Sequence, residues 1–569
     1  MNADLLLQHF DRLSEAPDAL PRLRRFILDL AVRGRLVPQD PNDEPASGLL
    51  RRIAAERAKQ LKSRKKTQLV MPFESEDMPF ELPESWQWVQ FVEVASIESN
   101  LVKPEQFLDY PHIAPDNIES RTGRLLQYQT IRESGVFSAK NRFFPGHIVY
   151  SKIRPNLAKA TLVDFEGLCS ADMYPIYPFI NPIFLLKFML SDAFVQQSIK
   201  EDNRVAMPKI NQKSLSKILV AVPPLAEQQR IVARVDDLMA LCDQLEAAKA
   251  EREQTRNHLI AASLHHLNQP SDDTAAFREH ARFYFNHLPR LTTRPEHIKQ
   301  LRQTILNLAV RGKLVPQDPN DEPAAELLKK LKSALARMKE VENIRIRKSI
   351  LPDAINFFSE DTFPASWCLT NFDDVNVIVS GVAKGKNLKG FKTEVYPYLR
   401  VANVQRGYLD LQVMKELEIK AGEFERYRLC DGDVLMTEGG DWDKLGRAAI
   451  WNNEIPDCIH QNHIYRIRPA VKELLLPKWI MLFANSPLGR LYFEGASKQT
   501  TNLASINMTQ LRSCPLPLPP LAEQQRIVAR VDDFMALCDE LDATLSASAT
   551  DQRRLLDAIL HEALAPAMA

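Results

Sequence analysis

The chain has 569 residues, of which 45% are hydrophobic and 26% charged, a composition typical of a globular protein with several domains. Lysine plus arginine and aspartate plus glutamate each number 73, which excludes a strongly basic chain that coats nucleic acid but leaves DNA binding through local patches open. No apolar run approaches the ~20 residues that cross a bilayer, the N-terminus lacks a signal-peptide pattern and the cysteines show no CxxC spacing, so we expect a reduced, cytoplasmic protein.

The N-terminal element contains two predicted helices joined by a turn-rich segment. Apolar residues at helical spacing, such as Leu23, Ile27 and Leu30, predict a helix over residues 20–36 that ends near Gly34. The prolines of the following PQDPNDEP prevent the helix from continuing. A second, basic helix is predicted over residues 49–66. A solvated helix face and a contact with phosphate or an acidic partner both explain its charge, and the sequence leaves these alternatives open.

Two segments of the chain occur twice. AVRGRLVPQDPNDEPA at residues 31–46 returns at 309–324 with one substitution, and PPLAEQQRIVARVDDLMALCDQLEAA at 223–248 returns at 519–544 with 22 of 26 residues identical. The two helices of the N-terminal element are therefore also expected over 298–314 and 327–348. An internal repeat of this length predicts a pseudo-two-fold scaffold that flanks two dissimilar middle regions.

The two middle regions, here called the first head (77–222) and the second head (359–518), are predicted to have one α+β fold. Short β-branched and aromatic runs alternate with turn residues, as in GHIVYSKI and GDVLMTEGG. Shared anchors, among them LPESW at 82–86 and FPASW at 363–367, indicate a common fold with diverged surfaces. One departure is His147, which stands where the second head has Asp433, and we expect it to affect only the local turn.

Each head is followed by a Pro-Pro pair and a long predicted helix. In the first copy Ile231, Val235 and Cys242 belong to an apolar stripe with steps of four and three. This stripe predicts a coiled-coil-like seam that packs against another helix, either the other copy or another subunit, with buried thiols. If the helix is continuous over 225–267, its length is on the order of 65 Å.

No catalytic constellation can be assigned from the sequence. GVAKGKNLKG at 381–390 has three residues between its first two glycines where a Walker loop has four, and NPIF at 181–184 lacks the second proline of an amino-methyltransferase motif. His265 and His266 have no companion ligands, so no metal site is predicted. We therefore predict a non-catalytic chain without a cofactor of its own.

Basic and amide side chains cluster on predicted loops of both heads. Residues 138–163 interleave basic and aromatic residues without an acid, and their counterpart in the second head contains EGGDWDKLGR. Reading of base edges requires such side chains, although a strand pair that is basic by chance, or loops that only face solvent, are alternatives. The candidate DNA-binding residues of the first head are Lys140, Arg142, Lys152, Arg154, Asn156, Lys159, Asn203 and Arg204. Those of the second head are Lys384, Lys386, Trp442, Lys444, Arg447, Lys498, Gln499, Thr500 and Asn502.

Two dissimilar α+β heads, each followed by PPLAEQQRIV and a long helix, resemble the specificity (S) subunits of Type I restriction–modification enzymes. The resemblance covers most of the chain, and the duplicated LAVRGKLVPQDPNDEP element is similar to that of the larger members. It implies two target recognition domains, each of which reads one half of a bipartite, non-palindromic DNA site. Long antiparallel coiled-coil-like helices would separate them. The resulting domain order is an N-terminal helical element (1–76), the first head (77–222), a central long helix (223–267), a linker with the second helical element (268–358), the second head (359–518) and a C-terminal long helix (519–569).

The resemblance also implies partners and their cofactors. The long helices would dock two adenine-N6 methyltransferase (M) subunits, which bind S-adenosylmethionine, and restriction (R) subunits, which use ATP and Mg, would join them. The residues assigned to docking are Glu227, Gln228, Arg230, Arg234, Glu523, Gln524, Arg526 and Arg530. Two alternatives remain, a recognition subunit of a methyltransferase-only system and a helical scaffold unrelated to DNA.

Overall fold

The computed structural model describes residues 16–61, 73–200, 208–268, 273–341, 354–359, 362–385, 387–440, 444–499 and 504–564. The chain divides into two compact units, one of residues 1–252 with 549–569 and the other of residues 253–548. Each unit contains one N-terminal element, one head and the beginning of one long helix. The internal repeat predicted from the duplicated segments is therefore confirmed.

The helices predicted for the duplicated N-terminal element are confirmed in both units. They are Ala19–Val32 and Ala46–Leu61 in the first unit, and Pro295–Val310 and Ala324–Val341 in the second, where helix Thr274–Leu291 precedes them. The first helix of each element is followed by a glycine with positive φ, +69° at Gly34 and +66° at Gly312. A Cβ added to Gly34 would lie 2.5 Å from the Pro83 ring, so glycine serves both the turn and the close approach of the head.

The described part of the first head contains three sheets with short helices beside them. A two-stranded antiparallel sheet pairs Gln87–Gln90 with Leu219–Val222. A four-stranded sheet has the order Ala95–Ile97, Met173–Pro178, Ile148–Ser151, Ala160–Leu162. A five-stranded sheet has the order Leu101–Val102, Lys140–Phe143, Gly167–Cys169, Pro111–Ile113, Gln129–Thr130. The helices are Phe91–Val94, Ile131–Ser134, Pro182–Leu190, Asp192–Lys200 and Gln212–Lys217.

The second head contains the same first two sheets and differs in the others. Cys368–Asn371 pairs with Pro515–Leu518, and the four-stranded sheet has the order Asn376–Ser380, Ile464–Pro469, Asp433–Thr437, Ala448–Trp451. Two three-stranded sheets have the orders Lys415–Lys420, Thr393–Leu399, Ile459–His460 and Gly439–Gly440, Ala504–Ser505, Lys498–Gln499. The helices are Phe372–Val375, Phe424–Tyr427, Pro477–Asn485, Pro487–Ala496 and Met508–Arg512.

The four-stranded sheets establish which residues of the two heads are equivalent. Ile148 lies opposite Ile176 in the first head, and Val434 lies opposite Ile467 in the second. All four of these side chains are fully buried, so the shared sheet is the core of each head. The prediction of one α+β fold in two copies is confirmed, and the divergence lies in the outer sheets.

The exchange of Asp433 for His147 changes more than the turn. Asp433 is 1% exposed, and its carboxylate accepts hydrogen bonds from Nε (2.7 Å) and Nη2 (2.8 Å) of Arg468 on the neighbouring strand. The register places Tyr177 where the second head has Arg468, and its ring lies 5.8 Å from the His147 ring. The expectation of a purely local effect was therefore wrong, because the cross-strand partner changes together with the turn residue.

Each long helix has 44 residues, Leu225–Asn268 and Leu521–Leu564, and therefore a length of about 66 Å. The stripe that begins with Ile231 and Val235 is buried in the same hydrophobic cluster as Ile27 and Phe184 of the first unit. Its counterpart in the second long helix is buried within the second unit. The seam thus packs against its own unit, rather than against either of the two expected partners. Cys242 and Cys538 are buried free thiols, as predicted.

The end of the second long helix returns to the N-terminal element of the first unit. Leu556 and Ile559 pack against Ala16 and Ala19. Arg553 lies 3.6 Å from Asp18, and a second ion pair joins Arg22 to Asp557. Among the described residues, no helix is both long and apolar enough to cross a membrane.

A buried carboxylate joins the N-terminal element to the first head. Asp29 is 6% exposed and accepts a hydrogen bond of 3.0 Å from the backbone N–H of Asp192 at the start of a head helix. Burial and the nearby Asp192 charge raise the pKa of Asp29 to about 6. Its equivalent in the second unit is the neutral Asn307, 278 positions further on.

We expect Asp29→Asn to stabilise the first unit at neutral pH. Because the pKa of Asp29 is raised in the folded state, its carboxyl group stabilises the fold fully below the unfolded pKa, near 3.8. This stabilisation is lost as the pH rises through about 6. The lost stability corresponds to about 3 kcal/mol from the shift in pKa. Asn keeps an oxygen acceptor, so the hydrogen bond is retained. Thermal unfolding between pH 4 and 8 should show a weaker pH dependence in the variant, and an identical pH dependence would contradict this account.

Candidate nucleic-acid interface

The predicted base-reading loops occupy equivalent positions in the two heads. Residues 152–159 connect strands Ile148–Ser151 and Ala160–Leu162, and residues 438–447 connect Asp433–Thr437 and Ala448–Trp451. Both loops therefore leave the same end of the same pair of strands in the four-stranded sheet. The sequence alignment of the two heads predicted this equivalence, and the topology confirms it.

Each hairpin loop lies beside the segment that precedes the shared Ile-Asn pair. In the first head Ile153 forms a β-bridge with Lys209, and the Arg154 N–H donates to the Pro208 carbonyl (2.8 Å). In the second head Gly439 pairs with Ser505, which also pairs with Lys498. The described part of this second segment therefore lies next to the hairpin loop in each head.

The first hairpin loop has an unusually strained backbone. Arg154 and Ala158 have φ values of +49° and +43°, in the left-handed region that non-glycine residues seldom adopt, and Arg121, which lies outside the loop, has +64°. The Arg121 guanidinium stabilises the loop by donating to the Asn156 carbonyl (3.3 Å) and to Asp192 (2.5 Å). Buried Pro155 and Ala158 anchor the loop. Between these anchors the side chains of Arg154 and Asn156 are exposed.

Four other candidates of the first head have internal partners. The Lys152 ammonium donates to the Ala171 carbonyl, and that of Lys159 donates to the Pro115 carbonyl, each at 2.7 Å. Lys140 is only 5% exposed and donates to Ser138, and burial lowers its pKa. Arg142 forms an ion pair with Glu166. These four side chains stabilise the loop and sheet, so Arg154 and Asn156 are the strongest candidates for base contacts in this head.

In the second hairpin loop the guanidinium of Arg447 is held in place by a residue from another part of the head. Arg447 Nη1 donates to the side-chain oxygen of Gln405 (2.8 Å), and the Arg447 side chain is half-buried. The Lys444 carbonyl accepts from Thr437 (2.5 Å) at the base of the loop. Lys498 is exposed on the neighbouring short strand. The described part of the loop thus has two basic side chains, Lys444 and Arg447, beside Lys498.

Several predicted residues lie outside the described part of the chain. They are Asn203, Arg204, Lys386, Trp442, Thr500 and Asn502, and for Gln499 only the backbone of its strand is described. Lys384 is exposed, and its ammonium lies 5.9 Å from the Tyr398 ring centroid.

Two exposed aromatic residues were not predicted as candidates. Phe137 is 84% exposed just before strand Lys140–Phe143, and Phe391 is 55% exposed with the Lys420 ammonium 3.2 Å from its ring centroid. An exposed ring can stack on a base or contact a thymine methyl group. The mixture of lysine and phenylalanine in LKGFK at 388–392 was a signal for the second of them.

Four of the residues predicted to dock partners instead make contacts within their own units, and we call this set of contacts the clasp. In the first unit the Glu227 carboxylate accepts from the Trp86 indole N–H (3.0 Å) and from Gln39 (2.6 Å), and Arg230 donates to both oxygens of Asp43 (3.2 and 2.6 Å). In the second unit Glu523 accepts from Trp367 (2.9 Å) and Gln317 (2.5 Å), and Arg526 donates to Asp321 (3.1 and 2.6 Å).

Burial argues against docking for four of the eight residues. Glu227, Gln228 and Glu523 are at most 1% exposed, as is Gln524, and burial raises the pKa of both glutamates despite their hydrogen bonds. The two arginines of the clasp are neutralised by aspartates of their own units. Buried side chains with satisfied hydrogen bonds offer a partner nothing to bind. Arg234 and Arg530 are exposed and Arg230 and Arg526 are partly exposed, so these four remain candidates for docking.

The clasp also includes residues that the sequence interpretation missed. Gln39, Asp43 and Trp86, with Gln317, Asp321 and Trp367, belong to the duplicated PQDPNDEP and to the shared tryptophan anchor. Their joint duplication with EQQR was the available signal, because segments that contact each other inside a unit must be duplicated together.

The basic second helices of the N-terminal element have acidic partners in their own units. Arg52 pairs with Glu44 (2.6 Å), and the equivalent Lys330 pairs with Glu322 (2.6 Å). Lys332 and Lys339 lie near Asp374 and Asp373 of the second head. Several of these ion pairs are half-exposed, as expected for a solvated helix face, and both alternatives for these helices stay open. Among the described residues there is no cluster of potential metal ligands.

Comparison with known proteins defines the class of these paired heads. Residues 83–253 and 369–550 match the Type I restriction modification DNA specificity domain, so more than half of the chain belongs to this family. The chain is thus a specificity subunit, the non-catalytic component of a Type I restriction–modification system.

The relatives include specificity subunits over nearly their whole length. The chain is 29% identical over 568 residues to the Type I restriction enzyme EcoEI specificity subunit of Escherichia coli, covering 96% of this chain and 94% of that protein. It is 43% identical over 240 residues to the EcoDI specificity subunit of Escherichia coli, covering 41% of this chain and 50% of that protein. The HsdS subunit structure from Thermoanaerobacter tengcongensis is 18% identical with a TM-score of 0.41, covering 85% of this chain and 98% of that one.

Proposed function

We propose that each head reads one half of a bipartite, non-palindromic DNA site through its hairpin loop. The observation that supports this most is the equivalence of loops 152–159 and 438–447, which leave the same strands in both heads but have different exposed side chains. A shared framework with different loops gives two half-sites of different sequence. Family membership decides against the alternative of a scaffold unrelated to DNA.

The chemistry of the exposed side chains suggests what each loop reads. An arginine such as Arg154 donates two hydrogen bonds to guanine O6 and N7, and an asparagine such as Asn156 pairs with adenine N6 and N7. The strained loop backbone and its Arg121 support keep these two side chains in one geometry. In the second head Lys444, Arg447 and Lys498 occupy the corresponding surface. Lys384 contacts the DNA backbone in this proposal.

The test is the methylated sequence in a host that expresses the chain with its methyltransferase. We expect Arg154→Ala and Asn156→Ala to relax base preference in one half-site by about tenfold or more at the affected position, since a bidentate base contact contributes roughly 1–3 kcal/mol of discrimination. The other half-site should not change. Arg124→Gln, which removes an exposed ion pair with Glu119 in the same head, is the matched control. A uniform loss of methylation at all sequences would show that these residues contact phosphates instead.

Two methyltransferase subunits bind equivalent surfaces of the two long helices in this proposal. Support comes from exposed residues that are identical in both copies, namely Gln229, Arg234, Asp237 and Leu241 with Gln525, Arg530, Asp533 and Leu537. Leu241 is 52% exposed and Leu537 is 38% exposed. Two copies of one surface suit two copies of one partner. The helices run antiparallel and separate the heads.

The partners supply the chemistry and act on DNA in the cytoplasm. The methyltransferase subunits bind S-adenosylmethionine, and restriction subunits that use ATP and Mg join them for cleavage. A methyltransferase-only system is the second candidate. A neighbouring gene for a helicase–nuclease would support the complete system, and co-purification of the chain with a methyltransferase alone would support the second candidate.

A further inference from the structure

We propose that the duplicated N-terminal element is a positioning device, which fixes the direction of each long helix relative to its head and thereby sets the permitted spacing of the two half-sites. The inference rests on the proposed function, because it assumes that the heads read half-sites. It assigns to the clasp a role in DNA specificity without any contact to DNA.

The first observation is that the clasp joins three segments that are distant in sequence. Gln39 and Asp43 come from the N-terminal element, Trp86 from the head and Glu227 with Arg230 from the first turns of the long helix. The same four hydrogen bonds recur in the second unit with nearly the same distances. A contact among all three parts, present twice, fixes their mutual geometry in each unit.

The second observation is that the element binds the long helix again further along. Arg24 lies 2.6 Å from Asp243 and 2.8 Å from Glu246, and Arg302 lies 2.6 Å from the equivalent Asp539. Asp243 is sixteen residues beyond Glu227, or about 24 Å along the axis. Two attachment points at this separation fix the direction of a helix, whereas one point leaves it able to pivot.

The third observation is that the same element also binds the head. Asp29 accepts a hydrogen bond from Asp192, and Gly34 lies against Pro83 and Trp86. The element therefore bridges head and helix. The directional contacts also matter energetically, since a buried carboxylate such as Glu227 is stable only when its donors are in place. A buried charged network of this kind often contributes less to stability than apolar residues would. It can instead hold the three segments in one specific geometry.

The test uses the full chain assembled with its methyltransferase subunits and DNAs that contain the native half-sites. Spacers are one base pair shorter, native, or one base pair longer, and a second series substitutes half-site bases. The variants are Asp43→Asn, its match Asp321→Asn, and Arg24→Gln, which touches no clasp residue. Arg52→Gln removes the exposed Arg52–Glu44 pair of the same element and serves as control.

We expect each variant except the control to reduce the preference for the native spacer by about tenfold, because small misplacements of a bound group change rates by such factors. Discrimination among half-site bases should be retained, since the loops are untouched. An equal loss on all three spacers, in step with loss of folded protein in thermal unfolding, would overturn the positioning role, as would an unchanged spacer preference. If the wild-type chain did not discriminate half-site bases, the proposed function itself would fail.

Discussion

Arg468→Met should destabilise the second head by on the order of 3 kcal/mol, because it leaves the charge of Asp433 buried and unpaired. Asp433 is 1% exposed and accepts two hydrogen bonds from Arg468 and one, of 2.7 Å, from the Cys430 N–H. The last of these remains in the variant but does not neutralise the carboxylate. Hydrogen exchange of strands Asp433–Thr437 and Ile464–Pro469 in the full chain measures the effect, and slower or unchanged exchange would contradict it.

The first head supplies a matched control for this prediction. It has His147 and Tyr177 in place of Asp433 and Arg468, with the two rings in edge-to-face contact at 5.8 Å. The double variant Asp433→His with Arg468→Tyr should therefore recover most of the protection that Arg468→Met loses. The non-additivity of the single changes at these two positions would show that they act as a pair.

The sequence predicted the elements whose pattern is local. The helices of the N-terminal element, both long helices and the equivalence of the two heads follow from periodicity, turn residues and duplication. The paired loops 152–159 and 438–447 were found because their anchor residues on the shared strands remain similar. These features depend on residues that are close together in the chain, so they can be predicted from a single sequence.

The sequence did not show which identical residues are buried. EQQR is the same in both copies, and a shared partner explains such identity as well as an internal contact does. Only the structure places Glu227 against Trp86, 141 positions away. The same holds for Lys152 and Lys159, whose ammonium groups donate to carbonyls distant in the chain. A basic residue on a loop is thus a poor indicator of DNA contact until its intramolecular partners are known.

The identity of the two copies therefore has two physical sources, one for the buried residues of each long helix and one for the exposed residues. Ile231 and Glu227 are buried against the unit, and their identity maintains the clasp and the core. Arg234 and Leu241 are exposed, as are Arg530 and Leu537, so packing in the core does not account for their identity. This second, exposed set is the one that a partner present in two copies would require.

Lengthening both long helices should lengthen the unspecified spacer between the half-sites. Repeating LEAA after residue 248 and LDAT after residue 544 adds four helix-forming residues to each helix, beyond the contacts of Arg24 and Arg302. Four residues extend a helix by about 6 Å, which compares with about 3.4 Å for each base pair of DNA. The spacer should therefore grow by about one or two base pairs.

The half-site bases should stay the same in this variant, because both hairpin loops and both clasps are unchanged. Methylome sequencing of a host that carries the variant with its methyltransferase reads spacer length and half-site bases at once. A four-residue insertion at the exposed turn of Gly422, far in sequence from the long helices, is the control and should leave the spacer as it is. An unchanged spacer in the lengthened variant would show that the long helices do not set the distance between the half-sites. The clasp variants would then have to act through the orientation of each head alone, since orientation and separation are the only two ways in which a head can be displaced along DNA.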